Sequence, residues 1–165
     1  MKSTRYSVMI LPKAGNQILL QKLKLSSEKS EYWDGFGSFY NVNESSLKIA
    51  QKVFIDNFEA KVELNQLELV AELIFSIEKP HEIVTLYTDI YFINMDEHTK
   101  KLLINKPSFR WHKFDDIPYH LMHQATGQWL PLVIKGEHIK AKIIVKQLKN
   151  HLNGVLEKFT QTASF

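Results

Sequence analysis

In residues 45–58 the apolar side chains of Leu47, Ala50, Phe54 and Phe58 recur at three- and four-residue spacing, which places them on one stripe of a helix. On either side of this run the pattern changes to that of strands. Residues 5–11 alternate, PKAGN turns the chain, and residues 17–24 read as the returning strand of a hairpin. Residues 67–77 and 83–95 are strand-like and are separated by the turn-forming EKPHE. Residues 107–114 read as a further strand, followed by a DDIP corner in which Asp115 and Asp116 cap a turn. Residues 128–134 read as a short helix with Pro131 near its start. A strong mid-chain helix enclosed by strands restricts the chain to an α/β or α+β class with a mixed sheet. Two forms stay open at the C-terminus: a strand over 138–145, then either a helix over 146–159 or a hairpin around Asn153 and Gly154.

At 165 residues the chain is expected to form one domain, residues 1–165, with a core of its own. No apolar run approaches the roughly 18 residues of a membrane span, and the first residues meet Pro12 too soon for a signal peptide. No membrane association is therefore expected. With no cysteine there is no thiolate metal site and no thiol nucleophile, and a reducing, cytoplasmic setting fits. Of the net charge of +3, the segment from 135 to 165 carries +4 (six Lys, two Glu), so the rest of the chain sums to −1. A nucleic-acid surface calls for Arg and interleaved exposed aromatics. This segment holds no Arg, so nucleic acid is not the expected partner and the Lys-rich residues 146–165 read as a solvated extension.

The stretch WDGFGSFYNVNESS leads into the helix. Gly35 and Gly37 let a backbone approach a ligand closely, and a helix N-terminus suits phosphate oxygens. Together with QILLQKLKL before it, RWHKFDDIPYHLM after it and the closing QWLPLVIKGEHIKA, this segment resembles the Nudix family, and within it the oxidised-purine nucleoside triphosphatases. The resemblance covers about residues 5–145. It implies a Nudix-type α/β/α sandwich with a mixed sheet, hydrolysis of a nucleoside diphosphate linked to another group, and Mg2+ or Mn2+ as cofactor.

The family's box runs Gly, five residues, Glu, seven residues, Arg-Glu, aliphatic, any, Glu-Glu, any, Gly. On this chain Ser38 falls on the first glycine, Glu44 on the first glutamate, Lys52 on the arginine and Val53 on the glutamate beside it. Asp56 and Asn57 fall on the glutamate pair, and Glu59 on the second glycine. In the family two glutamates four residues apart hold the metal; here those positions are Val53 and Asn57. Gly37 remains for the loop carbonyl that binds metal, and Lys106 stands near a further acidic ligand. The resemblance thus leaves two states open: a site impaired in hydrolysis, or one rebuilt with Glu44 and Asp56 as catalytic groups and Gly37, Glu44, Asp56 and Glu59 around the metal. A separate possibility is a metal-binding pair of His120 and His123.

Ligand contacts carry over in the same way. The Asn that meets the base becomes Asp34, a later Trp becomes His123, and an adjacent Asp pair becomes Ala125 and Thr126. Asp34 and His123 are expected to contact a purine-like ring, Trp33 or Trp129 to stack on it, and Lys22 or Lys24 to meet phosphate. A nucleotide-like small molecule is the expected partner. An interaction module using the Lys-rich C-terminus is a third reading.

Overall fold

The computed structural model describes residues 1–24, 31–147 and 155–165. In chain order the elements are β1 (Lys2–Ala14), β2 (Gln17–Lys24), β3 (Glu31–Asp34), β4 (Phe36–Tyr40), α1 (Ser46–Phe58), β5 (Leu67–Lys79) and β6 (Glu82–Met95). They continue with α2 (Glu97–Leu102), β7 (Phe109–Lys113), α3 (Thr126–Ile134), β8 (Ile139–Lys146) and β9 (Val155–Ser164). Among the described residues all nine strands join one sheet in the order β3-β2-β1-β6-β5-β8-β9, with β4 on β1 and β7 on β2. Pairing is parallel for β1–β6 and β5–β8 and antiparallel elsewhere, so the sheet is mixed.

Period-two alternation sends successive side chains to opposite faces, and both faces are covered. Leu11, Leu20, Leu73, Ile90 and Ile143 pack with Trp129, Leu130 and Val133 of α3. Val8, Ile10, Leu19, Tyr91 and Ile93 pack with Ala50, Val53, Phe54 and Phe58 of α1. The result is the expected α/β/α layering with two separate cores.

Helix α1 forms where its stripe predicts. Ser45 caps it, its side chain accepting from the Lys48 amide at 3.3 Å, and the helix stops at Glu59, whose backbone is left-handed at φ 51°. Phe54 and Phe58 are 1% exposed, each contributing about 1.5–3 kcal/mol by leaving water. Leu47 is only half-buried, whereas Val53 joins the buried set.

Two expectations change, and one further element appears. The glycine-containing stretch after Tyr32 is two short strands rather than a loop, because β4 has the middle of β1 to pair with, from Tyr6–Tyr40 to Ile10–Phe36. Gly35 lies between them, and a Cβ there would stand 2.7 Å from Met9 Cγ and 3.0 Å from the Ile10 carbonyl. Its close approach is thus to a neighbouring strand. Helix α2, unforeseen, starts at Asp96, which caps the Thr99 amide at 2.7 Å. At the C-terminus β9 pairs antiparallel to β8, so part of what was read as an extension supplies the last strand of the sheet, and residues 155–159 are strand where a helix was one alternative. The turn expected at Asn153 and Gly154 lies outside the described residues.

Candidate functional site

A cavity of about 550 Å3 opens on the α3 face of the sheet. Its floor is built from alternate residues of β1, β5 and β6, among them Met9, Leu73, Phe75, Leu86 and Ile90. Tyr32, Asp34 and Gly37 line it from β3 and β4, and His123, Thr126 and Trp129 from α3 and the turn before it. Three residues expected at the ligand, Asp34, His123 and Trp129, therefore line one space, although 95 positions separate the first from the last.

The cavity distributes its polar groups sparingly. Asp34 ends β3 half-buried and accepts from the Gly35 amide at 2.9 Å. Burial pushes its carboxyl up to about 6, opposed in part by that hydrogen bond. His123 Nδ1 accepts from the Ala125 amide at 3.1 Å, which places the ring proton of the neutral form on Nε2. Trp129 is 3% exposed, one edge of the core turned to the cavity wall. Ala125 and Thr126 are buried beside it. A carboxyl near neutrality, an imidazole and an indole suit a planar ring with hydrogen-bonding edges.

Other expected contacts lie elsewhere. Trp33 belongs to the core, with His112 edge-on at 4.8 Å. Lys22 stands 5.3 Å from the Trp33 ring and pairs with Glu31 at 3.0 Å. Lys24 is exposed at the end of β2, outside the cavity lining.

The box positions are occupied in other ways. Val53 is 5% exposed within the α1-face core. Asn57 folds back to donate from Nδ2 to the Val53 carbonyl at 2.8 Å. Glu44 Oε1 accepts from the Asn41 amide at 2.9 Å, closing the turn before α1. Asp56 is exposed and pairs with Lys52 at 3.4 Å. Glu59 is the helix cap, and Lys106 lies against the ring of Phe109 at 5.4 Å. His120 is exposed, while His123 faces the cavity. Magnesium takes hard oxygen ligands, chiefly carboxylates. Among the described residues no group of three or more His, Asp or Glu side chains is placed to hold a metal ion. A valine and a backbone-bonded amide on the helix face do not fit such an ion.

The floor was not foreseen. Leu73, Phe75 and Ile77 on β5 and Leu86, Thr88 and Ile90 on β6 show the period of strands in sequence, but nothing there indicates which part of which face escapes its helix. A polar group on the α1 face also escaped notice. Ser46 at the start of α1 meets the Tyr91 hydroxyl at 2.7 Å, and burial raises Tyr91 and Asp89 above their ordinary values.

No protein-family model matches the sequence, and no curated protein matches it. Solved structures do match. The Mutator MutT protein from Bacillus halodurans superposes with a TM-score of 0.69 at 14% identity, covering 96% of this chain and 97% of that one. A Nudix hydrolase from Nitrosomonas europaea gives 0.52 at 14% identity, covering 87% and 79%. The C-terminal domain of mouse MUTYH, in its complex with human PCNA, gives 0.58 at 13% identity, covering 80% and 88%. The fold is thus the Nudix fold. No helix among the described residues is long and apolar enough to cross a membrane.

Proposed function

We propose, on the premise of the Nudix fold, that this chain binds a nucleotide-like ligand in the α3-face cavity and is impaired in hydrolysis. The observation that carries the reading is a contrast within one scaffold. Positions matched to base recognition, Asp34 and His123, line the cavity together with Trp129, while positions matched to metal binding, Val53 and Asn57, are spent on packing and a helix-internal hydrogen bond. The register of that match has independent support. Glu59 falls where the family has glycine, and among the described residues it is the only non-glycine with a left-handed backbone, φ 51°.

In phosphoryl chemistry the metal neutralises developing charge and positions the water. Without carboxylates to hold it, that contribution is lost, and binding survives because base and metal positions lie on different elements. Loss of the late Asp pair to Ala125 and Thr126 also removes groups that would discriminate an oxidised base, so the ligand is not restricted to oxidised purines.

The similarity to a protein described as a hydrolase favours a second reading, an active pyrophosphohydrolase using Glu44, Asp56 and Glu59. A screen over a nucleotide panel with Mg2+ and Mn2+, paired with binding measured on the same panel, separates the two. Binding without turnover supports the first. Turnover that Glu44→Gln and Asp56→Asn each reduce supports the second.

A further inference from the structure

The cavity is polarised along β1. Asp34 sits at the level of Met9, against which its neighbour Gly35 packs. Arg5 lines the same cavity four residues earlier, about 13 Å along a strand. Lys79, at the far end of β5, lines it too. Among the described residues neither cation has an ion-pair partner; the carboxylate nearest Lys79 by strand register, Glu82, accepts from Ser3 Oγ at 2.7 Å. By register Arg5 is level with Phe75 through Leu86, and Lys79 stands four residues further along β5; between the levels of Asp34 and Arg5 the floor carries one pair of hydroxyls, Ser7 and Thr88, 2.8 Å apart. The order along the trough is therefore carboxyl, hydroxyls, cations.

We infer that the cavity takes a nucleoside monophosphate with its ring toward Asp34 and its phosphate toward Arg5 and Lys79, away from the box helix. This rests on the nucleotide-binding reading of the same cavity and adds a direction to it. Helix α1 lies on the opposite face of the sheet, with its own core between. Lys22 is held by Glu31 and Lys24 stands outside the cavity, so among the described residues the open cations facing a ligand in the trough are Arg5 and Lys79. A guanidinium binds a phosphate through paired, charge-assisted hydrogen bonds. The hydroxyl pair lies where a ribose would pass. A phosphate so placed has no route to α1, which agrees with a ligand that is held and not cleaved.

The test is equilibrium binding of adenosine, guanosine and their 5′-monophosphates to the full chain without metal. The parent and the variants Arg5→Gln, Lys79→Gln and Lys24→Gln are compared, each checked by thermal melt. The monophosphate is expected to bind roughly ten- to a hundredfold more tightly than its nucleoside, the usual worth of charged hydrogen bonds. Arg5→Gln and Lys79→Gln are expected to remove most of that difference while nucleoside affinity stays within about twofold. If Lys24→Gln removes it instead, or if the phosphate adds nothing, the inferred direction is wrong while nucleoside binding upholds the cavity reading. If neither nucleosides nor monophosphates bind, the cavity reading fails and takes the direction with it.

Discussion

Asn57 donates a hydrogen bond from Nδ2 to the carbonyl of Val53, 2.8 Å away and one turn back along α1. These two positions form the i, i+4 pair that the Nudix resemblance assigns to metal. In this chain the pair closes on itself, and its first member is core. Val53→Glu alone should cost several kcal/mol near neutral pH, because a carboxylate loses its hydration among Phe54, Phe58 and their neighbours. The folded pKa of that glutamate would be raised, so the deficit should shrink as pH falls below it. The double variant with Asn57→Glu should melt lower in chelator and recover in magnesium, by about 2.7 kcal/mol at a hundredfold excess over Kd, with the parent unmoved. Equal shifts in parent and variant would show that this helix face does not point at a Nudix-like metal space.

Asp34 sets a pH dependence. Its folded pKa is raised from 3.8 to about 6 by burial, so the stability linked to it is complete below about pH 4 and is lost as pH rises through 6. Asp34→Asn keeps an oxygen for the Gly35 amide and removes the ionisation. The variant should be more stable than the parent above pH 6, by at most about 3 kcal/mol at 1.4 kcal/mol per unit, with the difference vanishing near pH 4. Melting curves from pH 4 to 8 check this; a constant offset across the range would contradict it.

Much of the fold was legible because local pattern and tertiary role agree. Phe54 and Phe58 recur at helical spacing and are buried at that spacing, and the strands over 67–77 and 83–95 reappear as β5 and β6 with longer ends. What was not legible depends on partners distant in sequence. Nothing local to Gly35 announces that Met9 will lie against it, and nothing in Leu73 or Phe75 tells that they will line a cavity as well as pack in the α3-face core. Asp34 and His123 were expected from the family resemblance, and Trp129 as one of two stacking candidates; the structure places all three on the cavity lining. Arg5, Ser7 and Thr88 had no such signal, since one strand register brings them to the cavity.

Gly35→Ala tests that contact. The added methyl would sit 2.7 Å from Met9 Cγ and 3.0 Å from the Ile10 carbonyl. Overpacking of this kind costs about 1–3 kcal/mol. Met9→Ala in the same chain should recover part of the loss, since the side chain can yield and the carbonyl cannot. Additive losses in a double-mutant cycle would show that the strain lies elsewhere.

Glu59→Gly should stabilise the chain. A left-handed backbone costs a non-glycine residue of order 1 kcal/mol, and Glu59 at φ 51° is exposed with its side chain in solvent. A rise in Tm is expected; a fall would mean that the Glu59 side chain contributes more than the backbone strain removes.

A cavity that binds without cleaving retains its ligand whole. Equilibrium dialysis of labelled nucleotides against the parent protein in magnesium, with chromatography of both chambers at the end, reads retention and integrity together. An intact nucleotide is expected to accumulate on the protein side, and to do so no longer when Trp129→Ala and Asp34→Ala are combined. Release of phosphate or pyrophosphate at ordinary enzymatic rates, about 1–10³ s−1, would contradict it.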